Sequence, residues 1–274
     1  MRSPFAAERL PDGRRHFTHQ AVVARRALLA GLVVAGAGTA VGVHLGRDDT
    51  GAPVAATGRR GTGGTASAPV VTEAASPPPG PTFSTTDAAS PWVVVNKKHP
   101  IVPTDYVPAS LATVGGKQVA AVVVPDLTAL LAAADADGVG VTLTSGYRSL
   151  GYQRGVHDSA VAREGFATAE SLSARPGYSE HQTGLAIDFG SRSQPRCAVQ
   201  DCYQDTPEAH WLAEHAGAFG FLLRYTAAHT AVTGYAPESW HYRWVGVDLV
   251  RQMAERRVAT LEEFFGVSGG PDYA

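Results

Sequence analysis

The chain is poor in cysteine and in charge, and both shortages limit what it can be. Two cysteines in 274 residues cannot supply a zinc site built from thiolates alone, which takes four. Charged residues make up only 18% of the chain and the formal net charge is -2, so no basic surface for nucleic acid is expected. Hydrophobic residues reach 44%, which is enough for part of the chain to bury a core.

The first 46 residues have the composition of an export segment. Residues 1–26 are polar and rich in arginine, and we predict that they stay in the cytoplasm. Residues 27–46 carry no Asp, Glu, Lys or Arg and match the roughly 20 residues of a membrane-spanning helix. This pattern is typical of a cleaved secretion signal, with Arg25 and Arg26 resembling a twin-arginine signal, or of a retained anchor that ties the protein to the membrane. A buried helix rich in alanine and glycine is a third interpretation, which the polar stretch that follows disfavours.

Residues 47–90 are dominated by Gly, Ala, Thr, Ser and Pro. Such a composition cannot bury enough apolar surface to offset the entropy lost on ordering. We therefore predict a disordered linker there, a folded domain over residues 91–267 and a short tail over residues 268–274. Together with the export segment, the linker predicts an extracytoplasmic protein.

Helical and strand patterns alternate in the domain without a regular strand–helix–strand rhythm. A segment that opens at Pro125 and closes at Gly138 predicts a helix, and apolar alternation after Val139 predicts a strand. The other predicted elements are helices at 150–164, after Thr206, around Leu249 and after Thr260, and strands at 221–225 and 241–245. The sequence therefore predicts an α+β fold, in which a small, mainly antiparallel sheet is flanked by helices and carries the site described next.

The first candidate site lies in residues 179–189. If residues 185–189 form a strand, its two-residue period puts three apolar side chains on one face and Asp188 on the other. Gly184 allows a turn that brings His181 back beside Asp188. One nitrogen ligand and one oxygen ligand from a short segment suit zinc, although a single His–Asp pair is more often simply hydrogen-bonded.

The second candidate site is the run from Glu238 to His241. In an extended strand these two side chains would point to opposite faces, so we predict a tight turn through Glu238 and a strand that starts at His241. His181, Asp188 and His241 would give three protein ligands and leave a fourth position for water, the layout of a catalytic zinc site. Glu238, nearby but not a ligand, could then take a proton from that water.

Together these motifs resemble a known family. The resemblance rests on the patterns His181-x-x-Gly184-x-Ala186-x-Asp188 and Glu238-x-Trp240-His241, preceded by Ser145-Gly146-Tyr147-Arg148-Ser149 and Gln153. They are similar to the motifs of the VanY-like D-alanyl-D-alanine carboxypeptidases and their L,D-carboxypeptidase relatives. The similarity covers about residues 92–265. It implies a zinc metallopeptidase that acts on peptidoglycan stem peptides in the cell wall.

The resemblance also implies a role for each motif residue. It assigns Zn²⁺ to His181, Asp188 and His241, and it makes Glu238 the general base and then the general acid. It places Arg148 against the substrate, near the scissile carbonyl or the terminal carboxylate. A guanidinium suits that task because it binds a carboxylate through paired, charge-assisted hydrogen bonds.

Two further residues, Ser179 and Gln153, match the family's pattern and are implied to line the substrate pocket. The motifs do not separate D-Ala-D-Ala cleavage from L,D-cleavage of tetrapeptide stems. A non-catalytic module that keeps the fold for binding the cell wall is a further alternative. Glu238 argues against that module, because a purely structural metal site has no use for a carboxylate that is not a ligand.

Cys197 and Cys202 are separated by four residues and lie just beyond the first candidate site. In an exported protein they are expected to form a disulfide that pins this loop. Unpaired thiols are the alternative, and they would indicate a reducing compartment.

Overall fold

The structure, a computed structural model, describes residues 8–9, 15–16 and 83–274. The predicted export segment at 27–46 and most of the predicted linker lie outside these residues. The two short pieces pair as antiparallel strands, β1 (Glu8–Arg9) and β2 (Arg15–His16). Among the helices of the described residues, none has both the length and the apolar character needed to cross a bilayer.

A four-stranded antiparallel sheet forms the centre of the domain. Its strands are β5 (Val141–Ser145), β6 (Ala186–Ser191), β7 (Phe221–Tyr225) and β8 (Glu238–Trp244), in the spatial order β5–β6–β8–β7. A separate antiparallel hairpin is made of β3 (Leu111–Val114) and β4 (Lys117–Ala120). The prediction of a small, mainly antiparallel sheet is confirmed. β6 and β8 are the two inner strands, so residues that pair across them lie away from the sheet edges and are shielded from solvent.

Helices flank the sheet, as the predicted α+β class requires. They are α1 (Val124–Ala136), α2 (Leu150–Glu164), α3 (Phe166–Leu172), α4 (Pro207–His215), α5 (Thr230–Thr233), α6 (Val247–Arg256) and α7 (Leu261–Phe265). The helices predicted after Thr206 and after Thr260 begin at hydroxyl caps: the Ala209 amide donates to Thr206 Oγ1, and the Glu263 amide donates to Thr260 Oγ1. Both caps follow the sequence pattern that predicted them.

The main apolar core lies between the sheet, α1 and α4. Leu185, Ile187 and Phe189 all pack into it, so the predicted apolar face of β6 is confirmed. Burying side chains of this size contributes roughly 2 kcal/mol each. Because this face holds β6 against the helices, Asp188 on the other face has a fixed position.

The predicted turn through Glu238 is wrong, because β8 already begins at Glu238 and runs through His241. The register with β7 shifts within this stretch: Leu223 pairs with Tyr242, but Tyr225 pairs with Glu238. Four steps along β8 therefore oppose two steps along β7. A bulge of this kind breaks the strict alternation of side chains, and this allows Glu238 and His241 to approach the same point.

A disulfide in the loop after β6 and contacts of the C-terminal tail add to the packing of the domain. Cys197 and Cys202 form the expected disulfide. The predicted tail packs onto the domain, with Lys97 Nζ donating to Pro271 O at 2.9 Å and the Ala274 amide donating to Lys97 O at 3.1 Å. The bounds of the domain itself stay a prediction.

Candidate metal centre

The three predicted ligand residues meet at one point between β6 and β8. Asp188 and His241 are a cross-strand pair, and His241 Nδ1 lies 3.1 Å from Asp188 Oδ1. His181 reaches the same carboxylate from the 3-10 helix Glu180–Thr183, with 3.2 Å between its Nε2 and Asp188 Oδ2. One ligand atom from each residue lies within 4.8 Å of the others, and all three residues are buried.

Two glycines allow His181 to approach this point. Gly184 ends the 3-10 helix with a left-handed φ of +69°, and a side chain there would also collide with Ala120. Gly146, just after β5, accepts a hydrogen bond from His181 Nδ1 at 2.7 Å. A Cβ on Gly146 would collide with the carbonyl of Gln118. The predicted turn at Gly184 is confirmed, and Gly146 is needed for close backbone packing.

The ring nitrogens of His181 fit the role of a metal ligand. Because Nδ1 donates to the Gly146 carbonyl, the neutral ring carries no proton on Nε2. Nε2 is buried and has no hydrogen-bond partner in the described part of the chain, since its approach to Asp188 lacks hydrogen-bond geometry. Two imidazoles and one carboxylate are a donor set that catalytic zinc accepts, so these residues fit Zn²⁺.

The charge states of two of the three residues suit metal binding as they stand. Burial, aided by the charge of Arg148, lowers the pKa of His181 to about 4. Burial opposes ionisation of Asp188, but the two histidines hold the pKa of this carboxyl well below its usual value. Burial also opposes the charge on His241, but hydrogen bonds to Asp188 and Glu180 raise its pKa to about 9. At neutral pH His181 is therefore neutral and Asp188 ionised, whereas His241 carries a proton that it must lose for a ring nitrogen to bind a metal.

Glu238 stands beside this set without joining it. Its Oε2 lies 3.7 Å from His241 Nδ1, and its side chain is 18% exposed. Burial raises the pKa of Glu238 to about 7, although the positive charge of His241 acts in the opposite direction. A carboxylate that titrates near neutral pH can both accept a proton and return it.

Arg148, Gln153 and Ser179 line a cavity of about 600 Å³ together with the three candidate ligands. Two of them have a buried polar atom without a hydrogen-bond partner among residues 83–274, namely Arg148 Nε and Gln153 Oε1. Gln153 is held in place because its Nε2 donates to Ala174 O at 2.7 Å. Buried polar groups without partners are costly, so this cavity is suited to a polar ligand.

A second cavity, of about 1080 Å³, continues the cleft beyond Glu238. The two cavities share a set of lining residues: Arg163, Leu172, Val199, Glu238 and Trp240. The second cavity is also lined by residues 199–202 of the disulfide loop and by residues 236–240. The cleft therefore extends well past the candidate metal centre.

Glu180 is a residue of this centre that the sequence analysis missed. It is buried, and its Oε2 lies 3.1 Å from His241 Nε2. Burial favours the neutral acid, but Arg224 and other neighbours keep the pKa of Glu180 far below its usual value. A signal was present in the sequence: Arg224 and Arg243 interrupt apolar strand segments, and buried arginines need acidic partners.

Comparison with known proteins agrees with this geometry. A family model described as VanY, D-alanyl-D-alanine carboxypeptidase, matches residues 116–247. A D-alanyl-D-alanine carboxypeptidase of Enterococcus faecalis (strain ATCC 700802 / V583) is 34% identical over 181 residues, which are 63% of this chain and 64% of that protein. The match covers 50% of another curated relative, from Bacillus subtilis, so the chain spans half to about two thirds of these two proteins.

Solved structures of an LD-carboxypeptidase and a D,D-pentapeptidase also resemble this chain. The LdcB LD-carboxypeptidase is 29% identical with a TM-score of 0.60, over 66% of this chain and 88% of that one. A mutant of the D,D-pentapeptidase VanY, solved in complex with Zn(II), is 32% identical with a TM-score of 0.55, over 63% of this chain and 97% of that one. Both similarities extend over nearly the whole of the solved chains.

Proposed function

The chain belongs to the VanY family of D-alanyl-D-alanine carboxypeptidases, and on that basis we propose that it is a zinc carboxypeptidase that removes the C-terminal D-alanine from peptidoglycan stem peptides. One observation carries the proposal. The buried set of His181, Asp188 and His241 offers three ligand atoms within 4.8 Å of one another, and Glu238 stands beside it as a carboxylate that is free to move a proton.

His181, Asp188 and His241 would hold Zn²⁺, which when bound supplies a Lewis acid for the scissile carbonyl and the attacking water. Glu238 accepts a proton from that water and then delivers it to the amine of the departing D-alanine. Its pKa near 7 suits both transfers, because neither protonation state is strongly disfavoured.

Arg148 binds the terminal carboxylate of the substrate. Its Nε has no hydrogen-bond partner among the described residues, and the residue lines the cavity that contains the candidate ligands. A carboxylate placed there would satisfy the guanidinium through two charge-assisted hydrogen bonds. Gln153 and Ser179 line the same cavity and orient the C-terminal residue.

The length of the cleft favours peptides over a free dipeptide. A substrate whose terminal carboxylate meets Arg148 must extend its preceding residues away from that end. The second cavity, beyond Glu238, offers about 1080 Å³ for them. Similarity to the LdcB LD-carboxypeptidase favours tetrapeptide L,D-cleavage as a second candidate activity at the same site.

Release of D-alanine from purified muropeptides tests the proposal. The wild type should release it from pentapeptide stems, and Glu238→Ala should reduce kcat by 10²- to 10⁴-fold, the usual contribution of a general base. Glu255→Ala is the matched control, since this glutamate is 60% exposed. Equal activity in wild type and Glu238→Ala would remove Glu238 from the mechanism, and no release by any variant would support a binding module. Tetrapeptide stems assayed in parallel separate D,D- from L,D-cleavage.

We also propose that the domain acts outside the cytoplasm, released or anchored through residues 27–46. The uncharged stretch at 27–46 and the disulfide between Cys197 and Cys202 support this location, because disulfides persist in oxidising compartments. Fractionation of cells that produce the full chain tests it. N-terminal sequencing of the mature protein would distinguish cleavage from anchoring.

A further inference from the structure

His241 lies between two buried carboxylates, one on each ring nitrogen. Its Nδ1 is 3.1 Å from Asp188 Oδ1, and its Nε2 is 3.1 Å from Glu180 Oε2. The side chains of His241 and Glu180 are 4% and 0% exposed, so water does not compete for either contact. Only Nδ1 faces the point where Asp188 and His181 meet, and Nε2 faces away from it.

Two arginines hold Glu180 in this position. Arg224 Nε donates to Glu180 Oε1 at 2.8 Å, and Arg243 Nη1 donates to the same oxygen at 3.2 Å. Arg224 is itself fixed by two hydrogen bonds to Glu262. Oε1 of Glu180 is therefore committed to the arginines, and Oε2 is the oxygen that is left for His241.

We propose that Glu180 is a positioning residue that selects the tautomer of His241, keeping the ring proton on Nε2 and leaving the Nδ1 lone pair for the metal. Asp188 faces Nδ1 in the same way, but a metal bound there would occupy the Asp188 carboxylate and displace the Nδ1 proton. Glu180 is then the carboxylate that remains as an acceptor, so the neutral ring keeps its N–H on Nε2. This inference rests on the metal site of the proposed function but not on its substrate.

In His181 the two ring nitrogens have exchanged places compared with His241. Its Nδ1 donates to the Gly146 carbonyl, which leaves Nε2 facing Asp188. The two histidines would therefore bind a metal through different nitrogens, His181 through Nε2 and His241 through Nδ1. A purely structural role for Glu180, as a counter-charge for Arg224 and Arg243, makes no such prediction about His241.

The substitution Glu180→Gln separates these two roles. Both arginines require an acceptor, so the amide oxygen must face them and the NH₂ group must face His241 Nε2. An NH₂ donor there favours the tautomer with its proton on Nδ1, which blocks the ligand atom. We expect zinc affinity, measured by competition with a chromophoric chelator, to fall 10- to 100-fold, the usual effect of removing such a partner.

Glu262→Gln is the matched control. It removes a carboxylate from Arg224 but leaves the contact between Glu180 and His241, so zinc affinity should stay within about threefold of wild type. Because Glu180→Gln leaves one buried positive charge without a counter-charge, which opposes folding, the double variant Glu180→Gln/Arg243→Gln is tested with it. The double variant restores the charge balance, and Arg224 still orients the amide, so the same loss of affinity is expected.

A measurement on the wild type requires no substitution. In protein loaded with ¹¹³Cd and carrying ¹⁵N-labelled histidine, NMR should show cadmium coupling at Nδ1 of His241 and at Nε2 of His181. Coupling at Nε2 of His241, or folded Glu180 variants that bind zinc as tightly as the wild type, would overturn the inference. A wild type that binds no zinc would instead refute the proposed function, so the two failures are distinguishable.

Discussion

Glu238→Gln should abolish catalysis and at the same time stabilise the protein when it is stripped of metal. Burial raises the pKa of Glu238 from 4.5 to about 7, so ionising this side chain in the folded state costs free energy that the unfolded state does not pay. A glutamine has the same size and carries no charge. The substitution should therefore remove that cost together with the general base.

The size of the gain follows from the pKa. One pKa unit corresponds to about 1.4 kcal/mol, so a change from 4.5 to about 7 sets a ceiling of about 3 kcal/mol. The Glu238 side chain is 18% exposed, and partial solvation reduces the cost, so we expect about 2 kcal/mol. For a domain of this size that raises Tm by roughly 4–8 °C.

The gain in stability from Glu238→Gln depends on pH. Below pH 4.5 the glutamate is protonated in both the folded and the unfolded protein, so the wild type loses nothing. As pH rises towards 7 the unfolded state releases the proton first, and the wild type loses stability relative to Glu238→Gln. The difference between the two should be small at pH 5 and complete by pH 8. Bound metal should shrink it, because a nearby cation favours the carboxylate.

Thermal and urea unfolding of chelator-treated protein at pH 5 and pH 8 measures this difference. Glu255→Gln is the control, because its exposed carboxylate should change the free energy of unfolding by no more than about 0.5 kcal/mol. A Glu238→Gln variant that is no more stable than the wild type at pH 8, or that gains as much stability at pH 5 as at pH 8, would show that ionising the buried Glu238 does not destabilise the folded protein.

Three other predictions test the site and the core. Arg148→Lys keeps the charge but loses the paired hydrogen bonds, so kcat/KM on pentapeptide stems should fall at least 10-fold in steady-state assays, and an unchanged kcat/KM would show that Arg148 does not contact the substrate. Adding Zn²⁺ at about 100 times its Kd to stripped protein should stabilise it by about 2.7 kcal/mol, seen as a higher Tm, whereas a His181→Ala/His241→Ala variant should show no such rise. Phe189→Ala should cost about 3–5 kcal/mol in urea unfolding, because the ring is fully buried in the main core, and a loss below 1 kcal/mol would contradict that packing.

The sequence predicted the parts of the site that depend on local geometry. The face of β6 that carries Asp188, the turn at Gly184 and the capped starts of α4 and α7 all follow from spacing within a few residues. Each was recognisable because a strand repeats every two residues and because glycine and hydroxyl side chains have specific backbone roles.

What the sequence did not predict depends on contacts between distant segments. The sequence predicted that Glu238 and His241 would meet, but through a turn. They meet because of a register shift between β7 and β8, which no spacing within β8 reveals. Glu180 is 44 residues from Arg224 and 61 from His241 along the chain. Only the folded sheet brings these residues together, so the sequence alone does not indicate the role of Glu180.

The buried arginines also set the smallest piece of this chain that can keep the metal centre intact. The match to the family model ends at residue 247, yet Glu262 in α7 is held by Arg224 and by Asn96 Nδ2, and Arg243 donates to Pro91 O at 3.0 Å. A fragment trimmed to residues 116–247 would lack Glu262 and Pro91, so the two guanidinium groups that hold Glu180 would lose these other partners. Shortened enzymes for expression or engineering therefore need to begin before Pro91 and to extend past Glu262.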